Sequence, residues 1–426
     1  MKYSSRLLLA MVLAVAVATG LFANGLNLNG TGAKATGMGG AFVGLANDVS
    51  AILWNPAGLA QLTKATFSLS ADALLPSAKY ALGSYSMETA SKVYPAGMLG
   101  YAQPVSKNIV VGLGVYSLSG MGTDWQNTGL EAALVSPLPS AAFTPTLTPT
   151  KWESFIGSFT LAPTIAVKVS EKLYIGASFN INYGFFKMKQ WGEAEMISMD
   201  PLIIVNMGQR ELDIKGWGFG ATVGVLVKPA DWISLGATYR TESKMTMKGT
   251  MGIENINLLD LATESDTEMK VPSPMWLAGG IALKPVDKLT FTFDAQYTNW
   301  GKLEDLPLTF SDPYWAAALE GASLELYWKN RTQLRFGAEY DFGTFALRAG
   351  YYYDPAPSTD ATMNILTPSF DFNSVDIGFG YKSGNFRLDA LVQYLMGKDR
   401  AIADGTMPGT YQMNILVPAI SLSFEF

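Results

Sequence analysis

The sequence predicts an all-β fold: a fourteen-stranded antiparallel transmembrane β-barrel with a small N-terminal helical hatch inside the lumen. Three observations predict it. The chain opens like an exported protein, it holds no later apolar run of 18 residues, and much of its length alternates apolar and polar residues with a period of two. In a bilayer every backbone N–H and C=O needs a partner within the protein, so a chain without spanning helices crosses as a closed barrel.

The first residues set the compartment. Lys2 and Arg6 precede an uncharged apolar run from Leu7 to Thr19, and small residues follow, with Gly20 and Ala23 as candidate cleavage positions. Basic, apolar, small is the order of a secretory signal peptide. Ala18 and Gly20 fit the small-x-small pattern better than Leu21 and Ala23. The run is shorter than the ~20 residues of a spanning helix, which argues against an N-terminal anchor. Residues 1–23 are therefore read as the signal peptide.

Composition excludes more than it proves. With no cysteine among 426 residues there is no disulfide framework, so a large fold must supply the stability. With no histidine either, Ser-His-Asp and Cys-His triads and His or Cys zinc sites cannot be built. No enzyme and no cofactor are expected. The net charge of −6 without a basic block argues against a nucleic-acid partner. Charged residues make up 15% of the chain, below the ~25% of ordinary soluble proteins.

The strands come next. Leu289, Phe291, Phe293, Ala295 and Tyr297 alternate with Thr290, Thr292, Asp294, Gln296 and Thr298. The pattern returns in Leu334 to Tyr340, in Phe386 to Tyr394, and in the last residues, Ile420 to Phe426. A soluble sandwich alternates too, so the count and the joins decide. Candidate strands lie near 66–73, 98–106, 109–120, 153–169, 173–191, 211–228, 233–250, 270–284, 289–300, 323–340, 345–354, 374–382, 386–397 and 411–426. Their joins alternate between short turns, such as Ser170-Glu171-Lys172, and long segments, such as 121–152, 192–210, 253–269, 301–322 and 355–373. Short turns on one side and long loops on the other are the outer-membrane layout. Trp217, Trp232, Trp300, Tyr327, Trp328 and Tyr351, near strand ends, suit interfacial girdles. The barrel is assigned to residues 65–426.

A barrel this wide leaves a lumen that side chains alone do not fill. Residues 24–64 do not alternate; they are rich in glycine and carry helical pieces near Asp48 and after Asn55-Pro56, an N-cap followed by a first-turn proline. Such a segment is best housed inside the barrel, as a hatch.

These residues carry a resemblance. The run from Asn24 to Gly30, then Gly37-Met38-Gly39-Gly40-Ala41-Phe42 and Asn55-Pro56-Ala57, resembles the N-terminal hatch of the FadL family, outer-membrane transporters of long-chain fatty acids and other hydrophobic compounds. Gly120 to Trp125, Ser234 to Arg240, Asp294 to Trp300, and Leu347 to Tyr351 with Pro355 and Pro357 are also similar, so the resemblance covers nearly the whole mature chain. It implies a fourteen-stranded barrel in a Gram-negative outer membrane, passive flow and a gate. Asn55, Pro56, Ala57, Leu26, Leu28 and Phe42 are the implied gate residues. It also implies sideways release at a kink in the third strand, here near Gly112, Gly114, Gly120 and Gly122, because glycine weakens strands. The expected partners are a long-chain fatty acid or hydrophobic small molecule and outer-membrane lipid, with the chain acting as a monomer.

The long segments 192–210 and 253–269 are more apolar than loops in water should be. Met196, Ile197, Leu202, Ile203, Ile256 and Leu259 are the candidates for an outer hydrophobic groove, which the resemblance makes the place of first capture. The same residues can simply pack the loops together. A carboxylate head group wants a cation, for which Lys329, Arg331, Arg335 and Arg348 are the candidates. The strand carboxylates Asp294, Glu339, Asp376 and Asp389 are expected to be solvated or paired with Arg335, Arg348 and Arg387. Gly30-Thr31-Gly32-Ala33-Lys34-Ala35 matches a loose dinucleotide pattern, but it lacks the preceding strand and βαβ unit. Uptake of neutral or aromatic hydrocarbons, a general porin and an outer-membrane lipid enzyme are the alternatives; residues 24–64 argue against the porin and the missing histidine against the enzyme.

Overall fold

The computed structural model describes residues 25–127, 129–135, 149–199 and 202–426; the signal peptide expected at 1–23 lies outside them. Fourteen membrane strands form one closed antiparallel sheet. In chain order they are β1 (Thr66–Leu82), β2 (Tyr94–Pro104), β3 (Ile109–Asn127), β4 (Lys151–Ser170), β5 (Leu173–Trp191) and β6 (Gln209–Ala230). Then come β7 (Ile233–Arg240, resumed as Ser243–Ile253), β8 (Glu264–Ser273, resumed as Trp276–Val286), β9 (Leu289–Thr298) and β10 (Arg331–Asp341). The last are β11 (Phe345–Asp354), β12 (Phe372–Ser383), β13 (Phe386–Gly397) and β14 (Gly409–Glu425). Each pairs with its sequence neighbour, and β14 closes on β1 from Thr66↔Glu425 to Ala81↔Thr410.

The strands run further than alternation suggested. The stretch expected as 66–73 extends to Leu82 and that at 109–120 to Asn127, so much of the expected long segments is strand. The 253–269 segment shrinks to a short turn around Ile256–Leu259, and 192–210 holds a separate hairpin, Ala194–Met199 with Leu202–Asn206. Conversely, 323–340 is not one strand: only Ser323–Glu325 and Arg331–Asp341 are extended, because Trp328 turns in to pack on Trp300 at 5.3 Å. Trp300 and Trp328 are thus buried and do not belong to a girdle, while Trp217 is 57% exposed on the outer face and Tyr351 is exposed too.

One series of residues on each strand faces outward, and its chemistry changes along the strand. On β5 it passes from Ile175 and Phe179 to Lys187; on β6 it passes from Phe219 and Trp217 to Asp213. Lys187–Asp213 (2.6 Å) and Lys189–Glu211 (2.6 Å) are exposed cross-strand ion pairs. Such pairs suit water and not hydrocarbon, so the switch marks the outer boundary of the apolar band.

Residues 31–59 run through the middle of the ring of strands and are buried almost throughout. Their apolar side chains (Met38, Phe42, Val49, Ile52, Leu59) share a core with Met98, Val110 and Tyr116 of the wall. The backbone comes closer still. Four directly opposed pairs of glycines on adjacent strands, Gly100↔Gly114, Gly176↔Gly224, Gly236↔Gly280 and Gly337↔Gly350, face this segment. A Cβ at Gly350 would strike the Gly39 nitrogen, one at Gly236 the Val43 oxygen, and one at Gly224 the Asn55 side chain. Glycine inside a strand costs roughly 0.5–1 kcal/mol relative to alanine, so eight of them cost about 4–8 kcal/mol; the contact they permit must offset that.

Candidate functional site

The wall has a seam in its hydrogen bonding between β2 and β3. Their ladder runs from Pro104↔Val110 to Met98↔Tyr116 and stops. Beyond it, Tyr94 to Gly97 pair only with β1, while β3 continues to Asn127 paired only with β4 and bulges at Leu118. The gap is closed above by Ala90 N–H donating to Asp124 O at 2.8 Å and by Lys92 beside Asp124 (3.4 Å) and Glu153 (2.7 Å). The free edge of β3 is met by the N-terminal residues. Leu28 N–H donates to Leu118 O at 3.2 Å and Gly120 N–H donates to Leu26 O at 3.0 Å, which makes Asn27 and Ser119 an isolated antiparallel pair.

A cavity of about 150 Å³ opens on this seam. Leu28, Leu74, Ile156, Leu395 and Val417 give it apolar walls, and Asn27, Asn29, Gln393 and Asp354 add polar points. Across Asn27 and Leu28 lies a smaller space of about 20 Å³ beside Trp54, Arg240, Trp276 and Arg335. Arg240 is buried; its Nε donates to Thr222 Oγ1 at 3.2 Å and its Nη2 to the Tyr116 hydroxyl at 3.0 Å, while its Nη1 has no hydrogen-bond partner. Its guanidinium lies 5.1 Å from the Trp276 ring centre and, among the described residues, forms no ion pair. A buried cation held by hydroxyls and rings alone is under-neutralised, and burial makes that costly. The sequence reading missed it. The signal available was an arginine on the polar series of β7, with Ser234 and Thr238, at the point where the strand breaks.

The four expected cations sit differently. Arg348 is bound between Glu339 (2.6 Å) and Asp389 (2.8 Å), and Arg387 joins Asp389 at 2.7 Å, so these pairs form as expected. Asp294 instead accepts from Val43 N–H at 2.7 Å, and Asp376 from Ser374 at 2.7 Å. Arg335 is buried and donates to Gln333, Asn29 O (2.8 Å) and Gly39 O (3.1 Å), so it binds the N-terminal segment to the wall. Lys329 is exposed on the outer loops, and Arg331 donates to Ala356 O there at 2.7 Å.

The glycines expected at the kink divide. Gly120 and Gly122 lie on the gap, against Leu28 and the Tyr94 ring. Gly112 and Gly114 do not: they sit in the fully paired part of β3, beneath Leu59 and Ile52, because the ladder fails only beyond Tyr116. Asn55 caps the turn Pro56–Gln61 through Ala57 N–H (3.2 Å), and its Nδ2 donates to Val43 O (2.9 Å) and to Val225 O of β6 (3.0 Å). Pro56 and Ala57 rest on Gly176, and Phe42 is fully buried.

At the outer end, a groove of about 390 Å³ runs between Phe186, Met188, Leu212, Met251, Met269 and Leu319. Below it Met245 and Met247 join Trp300, Trp315 and Trp328 in one cluster, into which Ile256 is buried and against which Leu26 packs. Methionine is adaptable, which suits a path for varied apolar shapes. Leu259 lies exposed at the turn tip. Met196, Ile197, Leu202 and Ile203 belong to the separate hairpin, where Met196 pairs with Ile204.

Comparison with known proteins agrees with this architecture. The chain is 22% identical over 432 residues to the long-chain fatty acid transport protein of Salmonella typhi, covering 93% of each. Its fold matches a FadL homologue of Pseudomonas aeruginosa with a TM-score of 0.78, at 18% identity, covering 95% of this chain and 100% of that one. It matches the toluene transporter TodX of Pseudomonas putida with a TM-score of 0.72, at 17% identity, covering 94% and 99%. Residues 13–426 match the family of outer membrane protein transport proteins (OMPP1/FadL/TodX), and the chain belongs to that family of outer-membrane transporters of hydrophobic compounds.

Proposed function

We propose that the chain carries long-chain fatty acids across the outer membrane by passive diffusion, with residues 24–64 as hatch and 65–426 as barrel. The acid is captured in the methionine-lined outer groove, moves to the cavity beside Leu28, and leaves sideways through the gap between β2 and β3. A single chain holds every part of this path.

The observation that carries the reading is Arg240: an under-neutralised buried guanidinium on a small space that shares Asn27 and Leu28 with the larger cavity. An acyl chain in the cavity with its carboxylate on Arg240 replaces those two residues. Each methylene leaving water contributes ~0.8 kcal/mol, so a dozen give roughly 10 kcal/mol before the entropy of confinement is subtracted. Apolar walls alone can therefore hold the tail, and the cation selects the head. Flow in this reading is downhill, driven by the ligand's own gradient.

A second reading, neutral aromatic hydrocarbons, is favoured by the size of the cavity with Leu28 in place. An apolar cavity of ~150 Å³ admits benzene, so one ring or about six carbons fit without displacing Leu28. The test is displacement of a fluorescent long-chain fatty acid from the purified barrel by oleate and by a neutral alkylbenzene, in the native chain and in Arg240→Gln. We expect oleate to compete and its affinity to fall about tenfold in the variant, with the alkylbenzene unchanged. Competition by the alkylbenzene alone, untouched by Arg240→Gln, sinks the fatty-acid reading. No saturable binding together with open-pore conductance leaves a porin.

A further inference from the structure

The cavity at the seam does not stop at the inner face of the barrel. Its lining includes Phe155, Phe159 and Phe185, which belong to the outward series of β4 and β5. The same series carries Leu161 and Ile165 on β4 and Ile175 and Phe179 on β5, all exposed. The cavity therefore passes through the wall, from the inward-facing Leu395 of β13 and Val417 of β14 to the membrane-facing surface beside the gap.

The rings at its outer mouth form one row. Tyr94 lies 5.8 Å from Phe155, Phe155 lies 5.0 Å from Phe185, and Phe185 lies 5.9 Å from Phe159, centre to centre. Two glycines make the row possible. Gly122 has no side chain where the Tyr94 ring rests, and Gly157 none where the Phe185 ring crosses β4. The result is half-buried, contiguous aromatic surface on a concave mouth. Ile377 on β12, by contrast, stands 68% exposed on the same outer face.

We propose that Tyr94, Phe155, Phe185 and Phe159 form a second binding site, on the membrane face of the barrel, for the hydrocarbon tail of the transported amphiphile. This rests on the lateral exit proposed above. Tyr94 is the shutter: with its ring on Gly122 the mouth is narrow, and when it swings away the cavity and the row become one trough. The tail then slides from interior apolar contacts to aromatic ones without meeting water. Rings suit this because their flat faces offer large apolar area at low conformational cost. A bulk lipid tail can also lie there, so the site must prefer the chain that arrives from inside.

The absence of cysteine makes the test clean. Leu161→Cys, just beyond the row, and Ile377→Cys, on another wall, each take a single environment-sensitive fluorophore, and the full barrel is studied in lipid nanodiscs. A nitroxide-labelled fatty acid is the quencher. We expect saturable quenching at 161, half-complete at a concentration about tenfold below that at which linear partitioning gives the same quenching at 377. Phe185→Ala, or the gentler Phe155→Leu should the first fail to assemble, is expected to return position 161 to linear behaviour. Linear quenching at both positions overturns the outer site, as does equal saturation with a nitroxide-labelled phospholipid. Fatty-acid displacement in detergent is measured on the same samples. If it persists while 161 stays linear, only the outer site fails; if it is absent too, the fatty-acid reading has failed with it.

Discussion

The N-terminal segment meets the barrel in two ways. Toward β5–β8 and β10–β12 it is seated against glycines, backbone on backbone, with Asn55 and Asp294 bonding across the contact. Toward the seam it meets an edge that lacks its neighbour through two backbone hydrogen bonds, Leu28 N–H donating to Leu118 O and Gly120 N–H to Leu26 O. The first contact fixes a position, because nothing in it can deform except the sheet itself. The second can be undone by moving three residues, 26–28, up to Asn29, which Arg335 and Gln333 hold to the wall. One segment thus has an anchored body and a removable end, and traffic past it needs only the end to move.

The largest effect that can break this comparison is steric. In Gly350→Val the new side chain collides with Gly39, and the ladders to β10 and β12 prevent retreat. Overpacking costs about 1–3 kcal/mol where relaxation is possible and more where it is not. We expect the body to leave its seat and the barrel to conduct ions in a planar bilayer. A closed barrel in that assay would show that the seat does not hold the segment.

Next in size is a lock on the removable end. Asn27 and Ser119 face each other without direct backbone bonds between them, the closer kind of antiparallel pair, at ~4.5 Å between Cα atoms. That suits a disulfide. Asn27→Cys with Ser119→Cys, oxidised, is expected to lower fatty-acid uptake by vesicles at least about tenfold, reversibly with reductant. Ala33→Cys with Ser421→Cys, joining the body to β14 where Ala33 N–H donates to Ser421 at 2.8 Å, is expected to leave uptake unchanged. Loss of uptake from the second pair and not the first would reverse the roles of body and end.

Alternation made the wall legible, since an outward apolar series needs only a period of two. The inner segment was legible as well: it fails to alternate, and Asn55-Pro56 announces a cap. Register was not. Gly176 and Gly224 lie far apart in sequence, and nothing local says that they face each other. The seam was hidden for the same reason. Glycine marks weak strand, so Gly112 and Gly114 drew the same expectation as Gly120 and Gly122, although only pairing to β2 separates them. Arg240 escaped because a cation is conspicuous by what surrounds it. In sequence it resembles Arg348, which carboxylates neutralise on two sides. Trp300 and Trp328 looked interfacial because they end strands, but a loop that folds inward puts strand ends into a core.

A smaller effect tests the anchored side from within. Asn55→Ala removes the cap of Pro56–Gln61 and leaves Val43 O and Val225 O without that donor. Buried acceptors left unmet cost about 1–3 kcal/mol. We expect faster hydrogen exchange at Ala57 and Gly58 with uptake retained. Unchanged exchange would mean that apolar packing alone holds this turn.

The smallest effect sharpens the comparison most, because one substitution is made on both sides of the boundary in a single strand. A Cβ at Gly112 would lie 2.9 Å from the Leu59 side chain, inside the seat. A Cβ at Gly120 would lie 3.4 Å from Leu28, an ordinary contact, on the end that moves. Alanine suits a strand better than glycine by roughly 0.5–1 kcal/mol, so the intrinsic gain is the same at both sites. At Gly112 the clash with Leu59 should cancel or exceed it; at Gly120 it should survive. Gly120→Ala is therefore expected to raise the denaturation midpoint slightly and slow uptake about twofold, by adding contact to the closed end. Gly112→Ala is expected to lower the midpoint and leave uptake alone. If both variants shift stability the same way, the line drawn at Tyr116 between seat and seam does not divide β3 energetically, and the anchored body and the removable end are one cooperative unit.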